Sequence, residues 1–380
     1  MNLRSKLPNV GTTIFTVMSA MAKEYDAINL SQGFPNFDPP AELIALVKKH
    51  MESGKNQYAP MAGAPELSNV LAKKINTLYG NDIDPASEIT ITSGGTQALF
   101  CAISAHIHPG DEVIIVEPAY DSYKPVVELC GAHVVPYTLT GPDYKIDWQA
   151  LHRRFTRDTR MIIINNPHNP TGQVFDEHDL NELARITKGT NILVLSDEVY
   201  EHLIFDGKKH QSVLANPELY QRSLVTFSFG KTFHATGWKM GYCVAPPELM
   251  KEFRKIHQFN VFSVNSPKQH AIADFSKDFS FFAELPDFYQ KKRDFFLQKM
   301  EKSRFKLISC SGTYFQLLDY SDISDLPDTE FAEWLVKEHG VATIPISPFC
   351  SIQTEDRVVR VCFAKTEAVL AEAAEKLVAI

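Results

Sequence analysis

The sequence predicts an α/β protein, with a large domain on a mostly parallel sheet and a smaller α+β domain after it. Three observations carry this prediction. Between about residues 88 and 231, short apolar runs alternate with stretches of helical period. The runs are nearly continuously apolar rather than alternating, which is how strands buried on both faces read when helices serve as crossovers. After about residue 260 the texture changes to a shorter mixture of helices and strands.

In order, ITITSGG (89–95) leads into TQALFCAISAHI, and EVIIVEP (112–118) into YDSYKPVVELCG. MIIINNP (161–167) passes through a loop to DEHDLNELARITKG. NILVLSDEVY (191–200), SLVTFSFGK (223–231) and the helical PPELMKEFRKIHQF (246–259) follow. Residues 270–304 read as helical. FKLISCSGTYFQLLDY, DTEFAEWLVKEHG, VATIPISPF, DRVVRVCFA and TEAVLAEAAEKLVAI then make the smaller strand–helix–strand–helix block. The strands end in polar, glycine-rich tails: SGGT, EPAY, NNPHNPTG, SDEVY and SFGK. Ligand sites of open α/β sheets lie beyond those ends, so five tails distant in sequence are expected to converge.

The 380 residues are 44% hydrophobic and 22% charged, ordinary for a globular chain of about two domains. A net charge of −8 with interspersed signs argues against a nucleic-acid face and against a disordered tail. Cys101, Cys130, Cys243, Cys310, Cys350 and Cys362 show no C-x-x-C pair and no zinc spacing, and read as six buried, reduced thiols. No apolar run nears the ~18 residues of a membrane span, and the N-terminus lacks a signal-peptide core, so a cytoplasmic setting is expected.

Candidate chemistry centres on TFSFGKTFHATGWKMGY (226–242). Lys231 sits just past a buried strand; there a lysine either snorkels or, partly desolvated, becomes a good imine former. Ser228 and Lys239 flank it and suit a phosphate dianion. SGGTQAL (93–99) is a glycine turn opening a helix, whose free N–H groups form an anion site. Asp197 in SDEVY could hold a pyridine nitrogen protonated, since an ion pair at 4 Å and an effective dielectric of 20 is worth about 4 kcal/mol before desolvation. Asp197 could equally cap a turn, and NNPHNPTG could be only a rigid loop. Asn169 and Tyr200 could donate to a phenolic oxygen.

These motifs, in this order, resemble class I aminotransferases of the pyridoxal 5'-phosphate fold type I. GKTFHATGWKMG, NNPHNPTG, SDEVY, SGGTQAL, SQGFPNFDPP (31–40) and the late R-V-C-F stretch carry the resemblance, which covers essentially the whole chain. TTIFTVMSAMAKEYDAINLSQGFP and NQYAP are most similar to bacterial methionine aminotransferases, within the kynurenine aminotransferase and glutamine transaminase K subgroup. The resemblance implies a large cofactor-binding domain over residues 45–275 and a small domain from 1–44 plus 276–380. It implies that Lys231 holds pyridoxal 5'-phosphate as a Schiff base and then shuttles a proton. Asp197 would pair with the ring nitrogen, and Tyr200 and Asn169 would bond O3'. Gly95, Thr96, Ser228 and Lys239 would hold the phosphate, and Tyr120 would stack on the ring. Many class I enzymes have arginine where this chain has Lys239, which keeps the charge but not the bidentate grip.

For the substrate, the resemblance assigns the α-carboxylate to Arg360, helped by Gly33 and Asn169, and places Phe15 and Phe349 along the site. Tyr58 would reach the phosphate of the other subunit, so a homodimer with shared active sites is expected. Phe262 could add to an apolar pocket, and His234 is expected to be structural. The implied reaction moves an amino group from a neutral, methionine-like amino acid to a 2-oxo acid by a ping-pong mechanism. The alternative is a kynurenine- or glutamine-type enzyme with cysteine-conjugate β-lyase activity. A DNA-binding regulator on the same fold and a nucleotide-binding protein fit less well, lacking an added N-terminal domain and a placed G-x-G-x-x-G respectively.

Overall fold

A computed structural model of the chain describes residues 3–352 and 354–380. In chain order its strands are β1 (Ile28–Asn29), β2 (Ile89–Thr92), β3 (Glu112–Glu117), β4 (His133–Thr138), β5 (Thr159–Asn165), β6 (Leu193–Asp197), β7 (Ser223–Ser228) and β8 (Gly241–Val244). They continue with β9 (Lys306–Leu307), β10 (Phe315–Asp319), β11 (Val341–Ala342), β12 (Ile344–Pro345) and β13 (Val358–Cys362). Strands β2 to β8 form one seven-stranded sheet in the order β2-β8-β7-β6-β5-β3-β4. The pairs β4/β3, β3/β5, β5/β6 and β6/β7 are parallel, and β8 runs antiparallel to both its neighbours.

The continuously apolar runs have the expected cause. Ile114, Ile162, Val194 and Val225 join one apolar cluster, while their neighbours Val113, Ile163, Leu195 and Leu224 join another. Successive side chains point to opposite faces of a strand, so the sheet is covered on both sides. Two strands of this sheet escaped the sequence reading. β4 is a half-buried edge strand carrying Pro136, which suits an edge because proline cannot donate to a ladder. β8 has only four residues and follows the lysine motif almost directly.

From β3 the chain passes outward to β4, then crosses to β5 on the other side of β3. This reversal makes the C-terminal ends of β3 and β5 a crevice of the kind in which open α/β sheets bind ligands. A second, antiparallel sheet has the order β12-β13-β10-β9. Parallel pairing of β1 with β11 draws the N-terminal segment onto this later part of the chain. Met18, Leu30, Leu335 and Leu370 share one apolar cluster there. The stretch expected to be helical over 270–304 is two helices, Ser266–Phe275 and Ser280–Met300.

All six cysteines are unbonded to one another; four are buried, but Cys130 and Cys350 are only partly so, because each lies just past a short helix in a surface connection. Among the described residues no helix is long and apolar enough to cross a membrane.

Candidate active site

The five strand tails meet at one cavity of about 300 Å³. Gly94, Gly95 and Thr96 open the helix Gly94–His106 at its edge; Tyr120 follows β3; Asn165 and Asn169 end β5 and its loop; Asp197 and Tyr200 end β6; Ser228 and Lys231 end β7. Lys239, Gly33, Phe15 and Arg360 complete it.

Lys231 belongs to a four-residue helical turn, Phe229–Thr232. Its Nζ donates to the Tyr314 hydroxyl at 2.7 Å and to the Gly33 carbonyl at 3.2 Å. Burial, with help from the Arg360 and Lys239 charges, pulls its ammonium down to about 8, against the opposing influence of Asp197. A useful fraction of free amine is therefore present near neutral pH.

Asp197 is buried at the end of β6. The Tyr123 hydroxyl donates to its Oδ2 at 2.6 Å, and the Val199 N–H to its Oδ1 at 3.3 Å. Burial raises its carboxyl to about 6 despite these donors. The carboxylate thus lacks a full countercharge in contact and is suited to a buried cation placed beside it.

Opposite lies an anion cradle. Gly94 has φ +79, and a Cβ there would come within 3.5 Å of the Lys239 Nζ. A Cβ on Gly95 would stand 3.1 Å from Val199. The helix start and Lys239 thus lie side by side at the cavity, where free N–H groups and the helix dipole favour negative charge. Lys239 itself has left-handed backbone, φ 52. The Thr96 and Tyr120 hydroxyls are 3.3 Å apart.

Arg360, on β13, is 1% exposed. Its Nη1 donates to Asn169 Oδ1 at 2.8 Å and its Nη2 to the Ser31 carbonyl at 3.1 Å. Its Nε is buried with no partner among the described residues. Burial lowers the guanidinium to about 10, which still leaves it charged at neutral pH. The segment Ser31–Phe34 crosses beneath it as a strap. Besides Ser31, the Gly33 carbonyl accepts from Tyr314 and Lys231, and the Phe34 carbonyl accepts from the buried Lys365 Nζ at 2.8 Å.

Most of the residues expected at a site are therefore brought together. Phe15 lines the cavity, and Phe349 stands behind it with ring centroids 5.4 Å apart. Tyr58 and Phe262 do not line it. Tyr58 is 83% exposed and packs its ring against Phe262 at 5.4 Å. His234 accepts or donates at Nδ1 with the Tyr289 hydroxyl, 2.9 Å away, and burial lowers its ring to about 4. Four contributors were missed: Tyr123, Asn165, Tyr314 and Phe315. Tyr123 stands three residues past Tyr120 in EPAYDSY, a visible signal. Tyr314 and Phe315 read only as strand aromatics, because nothing in the sequence shows which face meets Lys231.

Residues 25–377 match the model of the family described as aminotransferase class I and II. The chain is 48% identical to methionine aminotransferase of Escherichia coli (strain K12) over 375 residues, covering 98% of this chain and 97% of that protein. It is 35% identical to kynurenine–oxoglutarate transaminase 1 of Homo sapiens, covering 94% and 93%. Among solved structures, an Escherichia coli protein described as having a methionine aminotransferase function superimposes with a TM-score of 0.98 at 47% identity, over all of both chains. The geometry of the cavity and these matches agree: the chain belongs to the class I and II aminotransferase family.

Proposed function

We propose that this protein is a pyridoxal 5'-phosphate-dependent aminotransferase that takes neutral, methionine-like amino acids as donors and 2-oxo acids as acceptors. The observation that carries the cofactor is the pairing of an uncompensated buried carboxylate, Asp197, with a glycine-floored anion cradle beside Lys239, and with Lys231 within the same cavity. That donor set fits a pyridine nitrogen, a phosphate and an aldehyde. When bound, the cofactor supplies an electron sink that makes the substrate Cα–H acidic.

The chain's residues supply the rest. Lys231 would hold the cofactor and, once freed, take the substrate Cα proton and deliver it to the cofactor's aldehyde-derived carbon on the other side of the shared nitrogen. Asp197 would keep the ring nitrogen protonated, with Tyr123 fixing the carboxylate. Tyr200 and Asn169 would bond the phenolic oxygen, and Tyr120 would cover the ring. Gly95, Thr96, Ser228 and Lys239 would hold the phosphate. Arg360 would grip the substrate carboxylate through its planar fork, which also sets the direction of the Cα–H bond.

Methionine preference rests on the 48% identity to the Escherichia coli enzyme and on the Phe15 ring that lines the cavity, backed by Phe349. Thioether sulfur makes favourable contacts with such rings. A homodimer belongs to the same reading: Tyr58 and Phe259, 83% and 87% exposed, are large aromatics suited to burial against a second copy. The partition into residues 45–275 and 1–44 plus 276–380 is supported by the shared cluster of Met18 and Leu370.

The test is an amino-donor panel of methionine, glutamine, phenylalanine, kynurenine and aspartate with protein loaded with pyridoxal 5'-phosphate. Methionine should give the highest kcat/KM and aspartate the lowest. Wild-type protein that does not take up the cofactor, or that transaminates none of the five, sinks the proposal.

A further inference from the structure

We infer that Tyr314 is a positioning residue for Lys231, whose hydroxyl receives the lysine amine whenever that amine is not bonded to the cofactor, and aims its lone pair at the cavity. This rests on the reading of Lys231 given above. The Tyr314 ring is fully buried and fixed by its neighbours, with Tyr200 edge-on at 5.2 Å and Phe315 edge-on at 4.8 Å. Its hydroxyl donates to the Gly33 carbonyl at 2.5 Å. A phenol has one hydrogen, so with that hydrogen committed the oxygen offers Lys231 only a lone pair. Lys231 Nζ donates into it at 2.7 Å and reaches Gly33 O at 3.2 Å.

The two acceptors decide the orientation of the amine. Neutral amine nitrogen is tetrahedral, with two hydrogens and one lone pair. Both hydrogens are engaged, one by Tyr314 Oη and one by Gly33 O, so the lone pair points away from them. Lys231 lines the cavity, so the lone pair that these two bonds leave free is the part of the amine we assign to face it. Without the hydroxyl, the flexible stem would leave the amine free to rotate among rotamers, and the Cα proton would meet a correctly aimed base less often. The other groups around this nitrogen are Asp197 and Cys362, which favour its charged form, and Arg360 and Lys239, which oppose it. The Tyr200 ring centroid lies 5.5 Å from it.

Tyr314→Phe removes the hydroxyl alone. In cofactor-free protein, competitive labelling with acetic anhydride followed by peptide mass spectrometry gives the titration midpoint of the Lys231 amine. The wild-type midpoint should fall near 8. An acceptor stabilises ammonium more than free amine, so Tyr314→Phe should lower it by about one unit. Tyr314→Gln, which keeps an acceptor, should restore part of the difference. In loaded enzyme, kcat should fall about tenfold with KM for the donor unchanged.

An unchanged midpoint overturns the inference. So does a rise in KM with kcat intact, which would make Tyr314 a wall of the substrate pocket only. Should Tyr314→Phe not fold, judged by its thermal midpoint, Tyr314→Met removes the hydroxyl by another route and carries the same expectations. The labelling needs neither cofactor nor turnover. Absence of transamination in wild type would overturn the proposed function and leave the labelling result standing.

Discussion

Arg360 and Asn169 are hydrogen-bonded, Nη1 to Oδ1 at 2.8 Å, across 191 positions of sequence. The guanidinium carbon lies 3.8 Å from the centroid of the Phe315 ring, so the group is held on one edge by Asn169 and on one face by an aromatic. A guanidinium fixed this way is pre-organised for a carboxylate, which cuts the entropy lost on binding.

Arg360→Lys should therefore cost more than a change of shape. It keeps the charge but loses the planar fork and the Phe315 stack. We expect kcat/KM for amino-acid donors to fall about 100-fold, equivalent to about 3 kcal/mol, while cofactor uptake followed by absorbance titration is unchanged. Equal kcat/KM in variant and wild type would remove Arg360 from the carboxylate site.

Asp197 makes the stability of the cofactor-free protein pH-dependent. Burial raises its folded-state carboxyl to about 6, above the ordinary 3.8. The folded protein thus holds the proton more tightly than the unfolded chain. The stabilisation from this group is complete below about pH 4 and is lost as pH rises through 6. The loss should approach about 3 kcal/mol in urea unfolding. Asp197→Asn should remove this segment of the pH profile. Parallel profiles for variant and wild type would count against it.

Gly33→Ala puts a methyl 2.7 Å from Phe315 Cζ and 3.1 Å from its Cε1. Either the strap or the Phe315 ring must shift, and both contact Arg360. Overpacking of this kind costs about 1–3 kcal/mol. The variant should show a lowered thermal midpoint and a donor KM raised about tenfold or more. A variant with wild-type KM would show that the strap has slack.

Lys74 and Glu201 form a buried ion pair at 2.5 Å, and Lys74 also donates to the Tyr242 hydroxyl at 2.8 Å. Burial works against the Glu201 charge, but the His202 and Lys74 side chains outweigh it and hold the carboxyl well below its usual range. Lys74→Met leaves that buried carboxylate without its lysine, with the His202 ring at 3.2 Å as the ionisable group still beside it. Urea unfolding should report a loss of about 3–5 kcal/mol. The double variant Lys74→Met with Glu201→Gln should recover part of it, because no buried charge then remains.

The sheet was legible because burial on both faces writes itself as unbroken apolar runs, as in EVIIV and MIIIN. β4 and β8 were not: one is a half-wet edge holding Pro136, the other four residues long. Within the site, residues whose chemistry is rare on a buried strand end stood out, such as Lys231, Asp197 and Arg360. Tyr314 did not, because a tyrosine in a strand-like stretch such as GTYFQLL is ordinarily core, and Tyr123 offered only its spacing from Tyr120. Only the fold shows that the Tyr123 hydroxyl meets Asp197 and the Tyr314 hydroxyl meets Lys231. Tyr58, expected at a site, lies exposed outside the cavity of its own chain.

The strap has a consequence for synthesis. A ribosome releases Ser31–Phe34 early and the side chains that catch their carbonyls, Arg360 and Lys365, last. All the strands of the seven-stranded sheet lie within residues 89–244 and can pair long before that. The glycine turn at Gly94–Gly95 and Lys239 thus precede Arg360 in the order of translation. A nascent chain stalled before β13 would carry the turn and Lys239 without Arg360.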